Sequence, residues 1–367
     1  MKRFLILVGI LIMCLSTAPV RVSAMDVFDV EFSGMERVAS GADTAFNVNM
    51  TSIFRDAVTG ELNLSPGSII SGFLRLLFGE LFDNVALLRN LLIIGVISAI
   101  LHNITSSFDN SAIGEIGFYV SYLAMVSMLF YSFRIATAIF SGLMVTITTF
   151  IEAGIPLFVS LVVMSGNLTG GVVFNSLLMF AVIFVGRFVS WVIGPAIMSA
   201  AVLHMINYIE QKDILKNLAK LIKNIISWSL KILAIGMVSI ISLQRISTPL
   251  ANNLMMRMTR SAVNTVPVVG SVLTGALDNV LYLAGVMRGG ALVVVVITMV
   301  AICIMPMLKL LALLLTYRLA AALIQPICDE RIVECLEVAA DYTALLLSAA
   351  AIVSFMFLIS IVIMLAL

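Results

Sequence analysis

The chain has 367 residues, of which 62% are hydrophobic and only 11% charged, and its net charge is +1. Soluble domains carry about 25% charged residues, and so thin a polar shell cannot cover a soluble core of this size. The composition excludes a soluble enzyme, and the near-neutral charge points to no nucleic-acid or acidic partner.

The first residues read as a secretory signal over 1–24. Lys2 and Arg3 form a positive start, Phe4 to Leu15 an apolar run, and Val22-Ser23-Ala24 a small-residue cleavage pattern. A retained N-terminal anchor is the alternative, since Arg21 sits close to the cut. Residues 25–85 are expected to form a small extracytoplasmic and interfacial region. Asp26, Asp29, Glu31, Glu36, Arg37, Asp43, Arg55, Asp56 and Glu61 punctuate it, and its polar stretch is too short to bury a core of its own. Ser65-Pro66 opens a helix there, because proline suits the first helical position. Ile69, Ile70, Phe73, Leu76, Leu77 and Leu81 give that helix an apolar stripe, and Arg75, Glu80 and Asp83 set it along a membrane surface.

Residues 86–367 are expected to form an all-α, polytopic membrane domain of about seven to ten segments. Between 86 and 207 the only charged side chains are Arg89, Asp109, Glu115, Arg134, Glu152 and Arg187. The intervening runs approach the roughly 20 residues that cross a bilayer. Spans are placed at 87–105, 116–133, 135–152, 171–190, 191–207, 225–243, 289–307, 308–326 and 343–367. The segments 153–168 and 266–287 open near Pro156 and Pro267 and are rich in glycine and small polar residues. Each is either a re-entrant or broken helix, tolerated where protein or water satisfies its backbone, or a short kinked span. Between two spans, Lys212, Lys216, Lys220 and Lys223 share one helical face, with Ile214, Leu218, Leu221, Ile222 and Ile225 on another. That pattern predicts an interfacial, cytoplasmic helix that meets anionic lipid or a partner.

An internal repeat at an offset of 111 relates Arg134, Ile135, Thr137, Pro156, Ser160 and Pro195 to Arg245, Ile246, Thr248, Pro267, Ser271 and Pro306. Duplicated units with discontinuous helices are common in transporters, so a self-sufficient secondary transporter or permease is the alternative function. Glu152, Pro156, Pro267, Gly270, Arg134 and Arg245 are then the candidate pore, gating or broken-helix residues, because an intramembrane charge is costly unless paired or hydrated. Snorkelling to the headgroups is the plainer reading of the arginines, and capping that of Glu152. No catalytic, metal or cofactor site is legible. The chain has two histidines, His102 and His204, and neither an H-E-x-x-H pair, a G-x-S-x-G elbow nor a phosphate loop. Cys303, Cys328 and Cys335 match neither zinc nor redox spacing.

The C-terminal half carries a resemblance. Pro267-Val268-Val269-Gly270 follows Arg257 and Arg260 and precedes Asp278. Tyr317 to Ile327 (Tyr-Arg-Leu-Ala-Ala-Ala-Leu-Ile-Gln-Pro-Ile) precedes Asp329 and Arg331. Together with the signal and the run from Asn90 to Asn103, this order resembles the stage III sporulation protein AE family over roughly 71–367. Asn252-Asn253 stands where that family has an Asp-Gly pair, and Arg260 and Arg288 where lysine is usual, which marks a divergent member. The resemblance implies a membrane component of the channel complex joining mother cell and forespore. It also implies residence in the mother-cell-derived outer forespore membrane. The partners it implies are other membrane and soluble subunits, including a separate ATPase, and a forespore protein. It assigns no catalytic residue and no cofactor.

Overall fold

A computed structural model describes residues 32–42, 49–59, 66–106, 111–164, 170–207, 216–263 and 269–366. Ten α-helices are present among them. They are α1 Ser33–Gly41, α2 Met50–Thr59, α3 Pro66–Asp83, α4 Val85–Ser106, α5 Ser111–Met164, α6 Gly170–Phe188, α7 Gly194–Ile206, α8 Lys216–Val263, α9 Val269–Ile324 and α10 Glu330–Ala366. A π-turn, Val189–Ile193, joins α6 to α7. The described residues contain no strand.

The expected spans are carried on fewer, longer helices. Five are long and apolar enough to cross a membrane: Tyr119–Leu161, Ser176–Ile206, Asn217–Ile240, Gly285–Ile324 and Glu330–Leu365. A sixth is formed if Ser71–Asp83 and Val85–Leu101, which meet at 43°, make one bent span. The reduction has a local cause at each merger. Arg134 does not interrupt α5, because one arginine among helix formers leaves every backbone hydrogen bond in place. The boundary expected at 190/191 falls on the π-turn just before Pro195. Widening that turn accommodates the missing proline N–H without ending the helix. Likewise α9 continues through Pro306 and α5 through Pro156.

The broken helices expected at 153–168 and 266–287 are therefore not found in their described parts. Residues 153–164 continue α5, and residues 269–287 begin α9. The repeat is not reproduced either. Shifting the bounds of α5 by 111 gives 222 and 275, which fall inside α8 and α9. The lysine helix also differs from expectation, since it is the first turns of α8 and runs straight into the span rather than lying between two spans. The helix expected to open at Pro66 does so, and its 43° angle to α4 sets it apart from the following apolar segment. The signal segment 1–24, Pro267 and Lys212 lie outside the described residues.

One continuous apolar core joins these helices, apart from α3, which contributes no buried side chain to it. Cys335 of α10 lies against Tyr122 of α5, and further along Thr148 of α5 and Phe357 of α10 both flank Gly186. The two helices therefore run in the same direction. Helix α9 runs opposite to α10, connected to it by the turn at 325–329 and bonded to it from Arg318 to Asp341.

The N-terminal helices share this core. Asn49 caps α2, its Oδ1 accepting from the Ser52 N–H at 3.1 Å. Phe32 and Phe54 meet at 5.6 Å between ring centroids and are almost fully buried. Phe54 and Val58 of α2 seat on Gly290 of α9. Met35 of α1 approaches Gly154 of α5, where Phe158 also packs. A region too short for its own core has borrowed one from the long helices.

Candidate functional site

Charged and polar side chains gather in two layers. The first is centred on Glu152. Its Oε1 accepts a hydrogen bond from Arg187 Nη2 at 2.9 Å, tying α5 to α6 across 35 residues of sequence. Pro156, one turn later on α5, has no N–H to give the Glu152 carbonyl, so the carboxylate and a freed carbonyl belong to the same residue. Beside this pair α5 and α6 cross closely, and a side chain at Gly186 would collide with Thr148 Oγ1. The Thr148 hydroxyl itself donates to the Met144 carbonyl at 2.7 Å.

The second layer joins three helices around Asp341 of α10. Arg318 Nη2 of α9 donates to Asp341 Oδ1 at 2.6 Å. Lys223 Nζ of α8 lies 3.8 Å from Asp341 Oδ2 and 5.4 Å from the centre of the Tyr342 ring. His204 of α7 meets the same ring edge-on at 5.9 Å. Two cations thus converge on one carboxylate, leaving an excess positive charge. Asp341, Arg318 and Lys223 are all partly open to the surroundings. On α5, Arg134 precedes Glu152 by 18 residues, about 27 Å of helix. Tyr317, beside Arg318, donates to Ser132 Oγ at 2.7 Å, so Arg134 lies near the level of the Asp341 cluster. The distance between the layers is close to the roughly 30 Å of a hydrocarbon core.

Buried hydroxyls tie the helices between and beyond these layers. Tyr122 donates to the Met205 carbonyl at 2.6 Å, and Ser121 to Ser98 at 3.0 Å. The Cys328 thiol donates to the Gly95 carbonyl at 3.1 Å, where α4 meets the turn between α9 and α10. Burial and the neighbouring Asp329 carboxylate both push the Cys328 thiol pKa up. Thr137, Thr298, Thr316, Thr343 and Ser360 bond carbonyls four residues back in their own helices. That habit satisfies a hydroxyl without a partner helix.

The sequence-derived candidates divide accordingly. Glu152 and Pro156 are brought together, and Arg134 is exposed on α5. Arg245 and Lys216 lie on α8, and Gly270 on α9. Lys220 is exposed, whereas Lys223 is turned onto α10. Sequence reasoning missed three residues. Asp341 gave no signal beyond its charge, and Arg318 none beyond its place in the Tyr317–Ile327 run, because their contact crosses two helices. Lys309 did give one. It is the only charged residue between Arg288 and Arg318, it follows Pro306 by three, and it is half-buried on α9. Among the described residues no three His, Cys, Asp or Glu side chains gather as metal ligands.

A family model described as Stage III sporulation protein AE matches residues 48–367. The curated Stage III sporulation protein AE of Bacillus subtilis (strain 168) is 26% identical over 304 residues, covering 83% of this chain and 76% of that protein. No solved structure matches the chain.

Proposed function

The chain belongs to the stage III sporulation protein AE family, and from that premise we propose that it is a membrane subunit of a sporulation-specific channel between mother cell and forespore. Its role in sporulation follows from the family, and its long apolar helices make it a polytopic membrane protein. The match over 48–367 is the observation that carries the reading, because it spans the helical bundle and both charged layers. In this reading the chain sits in the outer forespore membrane and acts with other membrane and soluble subunits. A separate ATPase is among the partners that the family resemblance implies, and the chain itself has no phosphate loop.

The geometry supports a scaffold rather than a self-sufficient transporter. Glu152, the best ion-binding candidate in the sequence, already has the Arg187 guanidinium as its counter-charge. The Asp341 cluster braces three helices in the same way. A fluorescent fusion that retains function tests the proposal. Enrichment around the engulfed forespore, with developmental arrest on deletion, is the expected result. Uniform distribution in vegetative cells and normal spores on deletion would sink it. Under the transporter alternative, Glu152→Gln abolishes uptake of a solute in vesicles holding this chain alone. The scaffold reading expects no such uptake from either form.

A further inference from the structure

The Asp341 cluster stands at the head of an exposed stripe. On α10 the exposed positions Glu337, Asp341, Ser348 and Ile352 share one face, with Ala344 and Leu345 half-buried among them. Asp341 is the last charged side chain of the sequence, so the stripe beyond it is apolar except for one hydroxyl. That hydroxyl, of Ser348, already donates to the Ala344 carbonyl at 2.7 Å. Helices α9 and α8 reach the stripe at the same point, Arg318 bonding Asp341 Oδ1 and Lys223 approaching Oδ2. The result is a charged clasp at headgroup depth, with an apolar track leading from it into the membrane.

The clasp has more hydrogen-bonding capacity than the protein uses. A guanidinium carries five N–H donors and an ammonium three. Among the described residues the Arg318 side chain makes one hydrogen bond, through Nη2. The Lys223 ammonium makes none, lying 3.8 Å from Asp341 Oδ2 and 5.4 Å over the Tyr342 ring. That ring is fully buried, and the Tyr342 hydroxyl is without a hydrogen-bond partner among the described residues. The charge is unbalanced too. With the exposed neighbours Lys220 and Glu337, each one turn away on its own helix, three cations face two carboxylates. Arg318 and Lys223 are both open to the surroundings. Whatever completes this site must be anionic, rich in acceptors and present at the membrane surface. A lipid phosphate meets all three conditions.

We propose that the clasp holds the phosphate of an anionic phospholipid, with an acyl chain lying along Ala344, Leu345, Ser348 and Ile352. The free edge of the Arg318 guanidinium takes phosphate oxygens through paired N–H groups, and Lys223 adds a point charge. Asp341 positions both cations from the groove floor. The positive charge left over favours a lipid with net negative charge over a zwitterionic one. The site belongs to two helices meeting at α10, so Lys220, on α8 alone, is ancillary to it.

Native mass spectrometry of the full-length chain tests this, after reconstitution with phosphatidylglycerol and phosphatidylcholine in equal amounts. Phosphatidylglycerol should stay bound to the released chain several-fold more than phosphatidylcholine. Arg318→Gln combined with Lys223→Gln should bring the two lipids to parity. Lys220→Gln, and Arg187→Gln in the other charged layer, should leave most of the preference in place. Asp341→Asn should raise it, because the clasp then carries a larger positive excess. Equal retention of both lipids by the parent chain would overturn the proposal. So would a preference that survives the paired Arg318 and Lys223 substitutions, or one that Asp341→Asn abolishes. Displacement of the bound lipid by an equal concentration of inorganic phosphate would overturn the lipid as the occupant.

Discussion

Gly290 offers a sharp test of how the N-terminal helices are held. A methyl group added there would lie 2.7 Å from Val58 Cγ2 and 2.9 Å from the Phe54 ring. Carbon atoms pack best at about 3.5–4.0 Å, so both neighbours must withdraw by about 1 Å. Both belong to α2, a single ten-residue helix that can move as a unit. Overpacking costs about 1–3 kcal/mol, and replacing glycine by alanine within α9 returns about 0.5–1 kcal/mol. The net loss for Gly290→Ala is on the order of 1 kcal/mol, concentrated in the seating of α2. Amide hydrogen exchange of the purified protein reads this directly. Exchange in Met50–Thr59 should rise roughly five- to tenfold, with Gly285–Ile324 unchanged. Val58→Ala in the same chain should restore part of the protection. Unchanged exchange in α2, or loosening that spreads through α9 instead, would refute the seating.

Tyr317→Phe removes the bond to Ser132 while keeping the ring, and should lower thermal stability by about 0.5–1.5 kcal/mol. Ser132 keeps its bond to the Leu129 carbonyl, so a larger loss would contradict the assigned geometry. Asp341→Asn leaves Lys223 and Arg318 without their shared counter-charge. Because all three are partly exposed, the cost should be about 1 kcal/mol or less and should fade in high salt, as melting at two ionic strengths would show. The raised pKa of the Cys328 thiol predicts slow maleimide labelling at pH 8. Asp329→Asn removes the carboxylate that helps raise it, so its thiolate fraction and labelling rate at that pH should increase.

Particular residues show how far the sequence could be read. Pro66 opened its helix as expected because the N-terminal preference of proline is local to one turn. Glu152 and Pro156 could be paired on paper, being four apart on one helix, but Arg187 could not be added. Its approach depends on Gly186 letting α6 press against Thr148. Span boundaries are expected at Arg134 and at 307/308, just after Pro306, and the helix is continuous at both. A helix with neighbours to pack against keeps its remaining hydrogen bonds past one arginine or one missing N–H.

By itself the sequence determined the membrane class and the all-helical architecture, because these follow from composition and from periodicity along a single helix. Only the tertiary structure decided that the nine expected spans merge into five long helices or a sixth bent one. It also decided that α1 and α2 seat on Gly154 and Gly290, and that Asp341 gathers Arg318 and Lys223. The physical reason is that a helical repeat specifies which face of a helix is apolar, but not which neighbour that face will meet. Choosing the neighbour depends on where small residues let backbones approach, and those contacts lie tens to hundreds of residues apart.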